Sequence, residues 1–357
     1  METNATGTTA AAPGPRWRRR RSPDVVVITG ASAGVGRATA REFARRGADV
    51  GLIARDPEAL QAACREVEHY GGRAAMCVAD VSRGNEVESA AALIEDRLGP
   101  IDVWVNNAMV TVVSPVAELT AEEVRRVTEV TYLGTVNGTL SALRRMRGRN
   151  RGTIVQVGSA LAYRAIPLQA PYCGAKFAIR GFTDALRSEL LHDRSRVHVT
   201  MVQMPALNTP QFDWCRTKMA CAPQPVPPVF QPEVAARAIH YAAYHRRREI
   251  LVGAPTLRAV WLNKFFPGLL DRFLAHFGYT SQASSTPVAP DRVDNLFEPV
   301  IGDFGAHGRF DRVAHHASAE LWLTTHRALV ALALAAALGA AYALRGQGAV
   351  ARRRAIR

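Results

Sequence analysis

The chain has 357 residues, of which 48% are apolar and 21% are charged, and its formal net charge is +14. This composition excludes a disordered or collagen-like chain and allows one large domain or two ordinary ones, with a sizeable core. The five cysteines are an odd number and lack C-x-x-C spacing. They predict neither a disulfide framework nor a zinc site, and a reducing compartment is expected.

The excess of positive charge lies mainly at the two ends of the chain. Residues 1–22 carry a net charge of +4 and residues 345–357 carry +5, so the region between them is only mildly basic. Aromatic and basic residues are not interleaved on any one predicted element, whereas basic tails are typical of solubility or of attachment to anionic lipid. We therefore expect no nucleic-acid partner.

The first segments along the chain are a basic arm and a long α/β region. Residues 1–23 are rich in Thr, Ala, Gly, Pro and Arg without an apolar period, which predicts a disordered arm. From residue 24 to residue 253, short β-branched runs alternate with stretches whose apolar residues lie three and four positions apart. This alternation predicts an α/β fold, a doubly wound (Rossmann) parallel sheet with helices on both faces. The predicted strands are residues 24–29, 49–54, 74–79, 101–105, 153–157, 197–202 and 249–252.

Beyond residue 253 the alternation stops, and residues 254–320 predict a helical and extended wrap. An apolar stripe at helical spacing runs through residues 254–280 and is interrupted by Pro267-Gly268, which predicts two short helices. Two locations for this stripe are left open: it covers the core, or it lies in a lipid headgroup layer.

The last segment, residues 321–357, combines an apolar helix with a basic tail. Ala328–Leu344 contains no charge and would be about 25 Å long as a helix, short of the roughly 30 Å hydrocarbon core unless Leu321–Leu323 extend it. A transmembrane anchor formed by residues 321–344 is therefore one hypothesis, and a helix packed on a membrane surface or on a partner is the other.

A glycine-rich turn follows the first predicted strand. Glycine permits a tight turn and lets the backbone approach a pyrophosphate, while the N-terminus of the next helix directs free N–H groups at the anion. The turn therefore predicts dinucleotide binding by Gly30, Ser32, Gly34, Val35 and Gly36.

The second predicted strand ends at Arg55, at the place where an acidic residue would bind the ribose hydroxyls of NAD. A guanidinium suits a 2′-phosphate through paired, charge-assisted hydrogen bonds, which favours NADP(H), with NAD as the alternative cofactor. Arg55 could instead be a solvated loop residue or pair with Asp56. Asp80, after the third strand, is expected either to contact the adenine edge or to cap the next helix.

Ser159 follows the fifth predicted strand, and Tyr172 and Lys176 lie four residues apart on the next predicted helix. Residues at this spacing share one helix face, so the phenol and the ammonium would point the same way. The chain has 45 basic residues but only three lysines, one of which is Lys176. A lysine in so arginine-rich a chain indicates that this position has a role that an arginine side chain cannot fill. A compact ammonium can lower the pKa of a nearby phenol and makes Tyr172 a candidate general acid/base. Ser159 would bind a substrate oxygen; the alternative is a surface Tyr and Lys on a helix.

Residues 24–253 resemble the short-chain dehydrogenases/reductases, in their single-domain branch. The resemblance rests on T-G-A-S-A-G-V-G (29–36), Asp80-Val81, Asn106-Asn107-Ala108, Ser159 and Tyr172-Cys173-Gly174-Ala175-Lys176. It implies hydride transfer between nicotinamide C4 and a carbonyl or alcohol carbon, with Tyr172 exchanging the proton, Lys176 holding the nicotinamide ribose and Ser159 orienting the substrate. It also implies that Asn106 steadies the sheet, and it adds to the cofactor site Val81, Asn107, Ala108, Tyr172 and Lys176.

Two positions depart from the pattern of that family. Met109 stands where the family usually has glycine, and Thr131 stands where it has an asparagine that is thought to hold a water of the proton relay. Thr131 could still bind one water, so we expect a modified relay and count Thr131 with the catalytic residues.

The sequence therefore predicts an NADP(H)-dependent oxidoreductase that acts on a carbonyl or hydroxyl group of an apolar small molecule. Residues 206–232 occupy the place of the family's substrate lid, and their apolar residues fit either a substrate or core and homo-oligomer packing: Phe212, Trp214, Met219 and Phe230. The alternative is a catalytically weak dinucleotide-binding module that acts through membrane or partner contacts of its C-terminal segment. A cytoplasmic protein is expected, with attachment to a membrane through the C-terminal helix left open.

Overall fold

The computed structural model describes residues 24–289 and 291–339, so the predicted N-terminal arm and the basic tail lie outside the described residues. Seven strands form one sheet in the order β7-β6-β5-β4-β1-β2-β3, with every neighbouring pair parallel. This confirms the predicted doubly wound α/β fold. The strands are β1 (Val25–Thr29), β2 (Asp49–Ala54), β3 (Ala74–Val78), β4 (Ile101–Asn106), β5 (Thr153–Ser159), β6 (His198–Met204) and β7 (Glu249–Leu251).

Helices cover the sheet and continue beyond it. They are α1 (Gly34–Arg45), α2 (Pro57–His69), α3 (Gly84–Leu98), α4 (Ala121–Val127), α5 (Gly134–Arg149), α6 (Ala170–His192), α7 (Gln211–Trp214), α8 (Pro232–Tyr244), α9 (Ala254–Phe265), α10 (Pro267–Phe277), α11 (Ala319–Thr325) and α12 (Arg327–Gly339). A wider π-helical turn, Thr128–Leu133, joins α4 to α5.

Both faces of the sheet are buried, which explains why its strands are continuous apolar runs. In β1, Val26 and Ile28 pack on the face covered by α1, α2 and α8. Val25 and Val27 pack on the opposite face with residues of α3, α5 and α6. The carboxyl ends of the parallel strands therefore meet at one edge of a rigid core, where such sheets bind ligands.

The region after β7 extends back across this edge. Ala283–Pro287 pairs with Cys221–Pro223, and Ala314–His315 pairs with Val229–Phe230, so the C-terminal segment packs on the predicted substrate lid. The apolar stripe forms the two expected helices, α9 and α10. Its aromatic residues are exposed rather than packed on the core, so the alternative that the stripe covers the core is wrong.

The apolar C-terminal segment is broken into two helices. α11 and α12 meet at an angle of 89°, and Leu321 of α11 is buried in the main core. The suggestion that Leu321–Leu323 lengthen the following helix is therefore wrong, because core packing of Leu321 directs α11 away from α12. Within residues 24–339, no single helix has the length and apolarity needed to cross a membrane, and one bent pair, α11 with α12, meets those requirements jointly. Residues 340–344 lie outside the described part of the chain.

Candidate active site

The turn between β1 and α1 depends on its glycines. Gly30 and Gly34 adopt positive φ angles of 65° and 57°, a region that favours glycine. A Cβ atom on Gly36 would lie 2.0 Å from the carbonyl oxygen of Gly30, so α1 could not pack against the turn with a larger residue. The turn therefore holds the backbone N–H groups of the α1 N-terminus at the carboxyl edge of the sheet.

A cleft of about 190 Å³ opens in front of this turn. It brings together most of the residues that the sequence assigns to the cofactor, and the lining includes Gly30, Ser32, Gly34, Val35, Arg55, Asp80, Val81, Asn107, Ala108 and Met109. Gly36 lies behind the turn. Ser159, Tyr172 and Lys176 are not part of this lining, and they form a second group at the end of β5 on the same edge of the sheet.

Two neighbouring asparagines brace the edge between β1 and β5. The Asn107 side-chain amide donates to the carbonyls of Thr29 and Gly30, at 3.0 and 3.1 Å, and so ties β4 to the glycine turn. The buried Asn106 amide donates to Thr139 of α5 (3.0 Å) and to Gln156 of β5 (2.9 Å). Asn106 thereby links β4 to its neighbouring strand and helix, as the resemblance implied.

Arg55 does not pair with Asp56, nor is it a freely solvated loop residue. Its guanidinium donates to the backbone carbonyls of Asn295 and Phe297, at 2.6 and 2.8 Å. Asp56 instead caps α2, where its carboxylate accepts from the N–H groups of Glu58 and Ala59. Burial, together with the nearby charge of Arg126, lowers the pKa of Arg55 below its ordinary value. Both sequence-based alternatives for Arg55 are therefore wrong, because a distant segment of the chain takes its hydrogen bonds.

Asp80 is held by a turn and by an ion pair rather than by a helix cap. One carboxylate oxygen accepts from the N–H and hydroxyl of Ser82, and the other pairs with Arg126 at 2.5 Å. Burial opposes ionisation, but the hydrogen bonds from Arg126 and Ser82 outweigh it and hold the pKa of Asp80 below its ordinary value. The N-cap residue of α3 is Arg83, so the capping alternative for Asp80 is wrong.

Ser159, Tyr172 and Lys176 lie together where β5 ends. The Lys176 ammonium is buried, lies 5.4 Å from the centre of the Tyr172 ring, and donates to the carbonyl of Val157 at 2.7 Å. The Ser159 hydroxyl accepts from the N–H of Leu161 and lies close enough to Tyr172 to influence its pKa. The Ser159 hydroxyl and the Lys176 ammonium are buried, and Tyr172 lies partly buried beside them, an arrangement that is suited to moving a proton.

The titration behaviour of this group differs from the expectation. Desolvation raises the pKa of Tyr172 above its ordinary value, although the neighbouring Ser159 hydroxyl acts in the opposite direction. Burial also lowers the pKa of Lys176 to about 8. The expected depression of the phenol pKa by Lys176 is not what this structure shows, because desolvation disfavours both charged forms.

Thr131 lies in the π-helical turn between α4 and α5 and is fully buried. Its hydroxyl donates to the carbonyl of Val110 at 3.0 Å and accepts from the N–H of Val110 at 3.2 Å. The single hydroxyl proton is thus used by the backbone of the loop after β4, and only an acceptor lone pair is left for a water. Thr131 positions this loop, which lines the cleft through Met109 and Val110.

Three of the four apolar lid residues pack against the C-terminal segment. The rings of Phe212, Trp214 and Phe230 contact those of Phe310, Phe304 and His315, with centroids 5.8, 4.7 and 5.5 Å apart. Met219 packs instead on a small cluster formed by Val113, Leu168 and Cys215. Packing on the C-terminal segment therefore accounts for Phe212, Trp214 and Phe230. Met219 is the lid residue that packs on the cluster of Val113, Leu168 and Cys215 instead.

Sequence reasoning missed Arg126 and the segment that we call the strap, residues 294–305. Arg126 contacts Asp80, Ser82 and the carbonyl of Leu296. The strap supplies part of the cleft lining, namely Asn295, Pro299, Val300, Gly302 and Phe304. The strap carries no periodic pattern and contacts the cleft largely through backbone atoms, so its sequence holds little signal of this location.

The parallel sheet, the glycine turn and the cleft at its carboxyl edge define a dinucleotide-binding protein of the doubly wound class. A family model described as short chain dehydrogenase matches residues 24–219. The chain is 32% identical over 286 residues to the uncharacterized oxidoreductase YxnA of Bacillus subtilis, covering 80% of each chain. It is also 32% identical over 192 residues to the 3-dehydrosphinganine reductase of Danio rerio, covering 52% of this chain and 57% of that relative.

Among solved structures, an alcohol dehydrogenase from Thermococcus sibiricus complexed with 5-hydroxy-NADP superposes with a TM-score of 0.55 at 26% identity, covering 64% of this chain and 95% of that one. The chain belongs to the short chain dehydrogenase family. It is accordingly an oxidoreductase that binds NAD(P) and acts on a small molecule.

Proposed function

We propose that the protein is an NADP(H)-dependent oxidoreductase that transfers hydride between the nicotinamide and a carbonyl or hydroxyl group of an apolar small molecule. The observation that carries this proposal is the grouping of buried Ser159 and Lys176 with partly buried Tyr172 at the sheet edge that also carries the nucleotide cleft. NADP is favoured over NAD because two guanidinium groups, Arg55 and Arg126, converge at the end of the cleft beyond β2.

The residues of the cleft fit a dinucleotide. The glycine turn leaves no room for a Cβ atom at Gly30 or Gly36, so it packs tightly on the loop after β4 and on α1, and the N-terminus of α1 lies at the cleft, where a pyrophosphate would bind. The N–H of Gly34 would hold that group, Arg55 would hold the 2′-phosphate, and Val81 would pack near the adenine. When bound, the cofactor supplies or receives the hydride at nicotinamide C4.

Tyr172 is assigned the proton transfer. The phenol is protonated near neutral pH, the state from which it would donate to the oxygen of a carbonyl substrate, and its raised pKa makes it a weaker acid than a free phenol. Ser159 would orient the same oxygen through its hydroxyl. Lys176, with a pKa of about 8, can hold a proton close to the phenol and return it. Thr131 would act indirectly, by positioning the loop after β4.

The proposed apolar substrate and a membrane-surface location rest on the helices α9 and α10. Trp261, Phe265 and Phe273 are each more than half exposed. These helices are fastened to the loop that separates Ser159 from Tyr172, since Asn263 donates to the carbonyl of Tyr163 at 2.8 Å. An exposed aromatic surface beside a reacting group suits a substrate that arrives from a lipid layer. Similarity to a 3-dehydrosphinganine reductase supports a lipid-like ketone as the substrate class.

Tyr172→Phe tests the proposed chemistry, with Tyr163→Phe as the matched control. Tyr163 lies in the loop between Ser159 and Tyr172, but its hydroxyl donates to the carboxylate of Glu249 at 2.6 and 2.7 Å. Oxidation of NADPH across a panel of long-chain ketones should fall about 10²- to 10⁴-fold in Tyr172→Phe and change little in Tyr163→Phe. NADPH affinity, measured by fluorescence titration, should be retained in both.

Retention of wild-type rates by Tyr172→Phe would contradict the assigned role. If the wild-type protein binds NADPH but turns over no ketone of the panel, the second proposal, a catalytically weak dinucleotide-binding module, is supported instead.

A further inference from the structure

The strap places backbone carbonyls on the hydrogen-bond donors that the sequence assigns to phosphate groups. At one end, the carbonyls of Asn295 and Phe297 accept from Arg55 at 2.6 and 2.8 Å. At the other end, the carbonyl of Gly305 accepts from the N–H of Gly34 at 3.0 Å, at the start of α1. Three carbonyls of one segment therefore bind at both the 2′-phosphate end and the pyrophosphate end of the cleft.

The charge around Phe297 fits a phosphate better than a carbonyl. Both Arg55 and Arg126 donate to its oxygen, at 2.8 and 3.4 Å. The two guanidiniums are close enough for the charge of Arg126 to lower the pKa of Arg55, after the larger effect of burial. Asp80 pairs with Arg126 and compensates one of the two charges. The neutral carbonyl oxygen of Phe297 forms weaker hydrogen bonds with the two guanidinium groups than the charged oxygens of a phosphate would form.

The strap is fastened by contacts that do not involve these donors. The Asp303 carboxylate pairs with the buried guanidinium of Arg37 at 3.3 Å, and the N–H of Gly302 donates to Asp56 at 3.0 Å. The ring of Phe304 packs edge-on against Trp214, 4.7 Å between centroids. Substitution of Asp303 therefore alters the position of the strap without changing Arg55, Arg126 or a residue of the glycine turn, although its partner Arg37 also donates to the carbonyl of Ser32 in that turn, at 3.0 Å.

We propose that the strap is a built-in competitor of the cofactor, whose carbonyls occupy the acceptor positions of the phosphates, and that Arg126 joins Arg55 in binding the 2′-phosphate once the strap is displaced. This inference rests on the proposed NADP(H) dependence. Either dinucleotide must displace Gly305 from Gly34, but only a 2′-phosphate must also displace Asn295 and Phe297 from Arg55. The population of the closed strap then reduces the apparent affinity of the cofactor.

Amide hydrogen exchange of the full chain tests this displacement. The N–H of Asn295 donates to the carbonyl of Trp214, so lifting the strap exposes it. Saturating NADPH should increase exchange in residues 294–298, and saturating NADH should leave that segment unchanged. Exchange that is unchanged or reduced with NADPH would overturn the proposal. Fluorescence titrations on the same sample distinguish failure of the strap proposal from failure of the proposed NADP(H) dependence. An absence of NADPH binding, or equal affinities for NADPH and NADH, would contradict the NADP(H) dependence instead.

Asp303→Asn loosens the strap at a site away from the phosphate donors. NADPH should then bind severalfold more tightly and associate faster in stopped-flow measurements. The matched control is Asp193→Asn, since Asp193 pairs with Arg147 and its side chain is 43% exposed, against 44% for Asp303. Weaker NADPH binding by Asp303→Asn would show that the strap assists the cofactor and would refute competition.

Arg126→Met tests the second cation. Because Arg126 also holds the strap through the carbonyl of Leu296, the substitution is made in the Asp303→Asn background, where the strap is already loosened. NADPH affinity should fall about tenfold or more relative to that background, the usual effect of losing one charge-assisted hydrogen bond, whereas NADH affinity should stay within about twofold. Arg144→Met is the control, because Arg144 also pairs with an acidic residue, Glu88, but lies on α5 away from the cleft. Equal losses for NADPH and NADH would contradict the role of Arg126, and Asp303→Asn keeps the strap testable if Arg126→Met does not fold.

Discussion

The two ends of the site are built in different ways. At the end that we propose to carry the reaction, called the reacting end below, Ser159, Tyr172 and Lys176 come from one strand and the following helix, within eighteen residues of sequence. At the nucleotide end, Arg55 is bound by Asn295 and Phe297, which lie 240 and 242 residues further along the chain. The reacting end depends on particular side chains at local spacing, whereas the nucleotide end depends on backbone groups joined over long distances. Substitutions should therefore act differently at the two ends.

The largest effect on the nucleotide end is expected from Gly36→Ala. The added Cβ would lie 2.0 Å from the Gly30 carbonyl oxygen, so the turn must deform, and the free energy of unfolding should fall by about 3 kcal/mol. Dinucleotide binding should be lost with it. Chemical denaturation and fluorescence titration measure the two effects.

Gly148→Ala is the control for this substitution. Gly148 lies in α5 with no neighbouring atom within 4 Å of an added Cβ, so alanine should stabilise the helix by up to about 1 kcal/mol. Equal stability of the two variants would show that the glycine turn is not rigid. It would also contradict the view that the nucleotide end depends on fixed backbone positions.

At the reacting end, Lys176 should make the free energy of unfolding depend on pH. Burial lowers the pKa of Lys176 from an ordinary value of 10.5 to about 8, so between pH 8 and 10 the unfolded chain binds more protons at this position than the folded chain. The free energy of unfolding should therefore rise with pH over this range, by at most roughly 1.4 kcal/mol per pH unit for one proton. Below pH 8 the lysine is protonated in both states and its contribution is constant.

Lys176→Met removes this contribution, so the free energy of unfolding of the wild type should rise relative to that of Lys176→Met as the pH rises from 8 to 10. Denaturation curves at several pH values measure it. Lys264→Met, at an exposed lysine of α9, should follow the wild-type slope. Parallel pH profiles for wild type and Lys176→Met would contradict the buried, low-pKa ammonium.

The smallest expected effect concerns the aromatic surface beside the reacting end. The double variant Trp261→Ser/Phe265→Ser should reduce binding to vesicles of phosphatidylglycerol and phosphatidylcholine by about tenfold, since it removes exposed apolar area. Flotation assays measure this change. Leu191→Ser is the control, because Leu191 is 73% exposed on α6 and belongs to no such cluster. Equal flotation of both variants would contradict a lipid-facing role for α9 and α10.

The sequence alone determined the sheet, the glycine turn and the composition of the reacting group. Apolar periodicity indicates strands and helices because it follows from backbone geometry, and the four-residue spacing of Tyr172 and Lys176 places both on one face of α6. The pKa of Tyr172 was predicted in the wrong direction, because desolvation depends on how completely the surrounding chain buries a group.

Only the tertiary structure decided what covers the nucleotide end and where the C-terminal helices point. Every residue has a carbonyl, so the contacts of Asn295, Phe297 and Gly305 with Arg55 and Gly34 leave no mark in residue type or spacing. The 89° bend between α11 and α12 is likewise hidden in an apolar stretch, because it arises when Leu321 is buried in a core formed by distant strands. Local periodicity encodes elements, but contacts between distant, irregular segments are set by the packing of the whole chain.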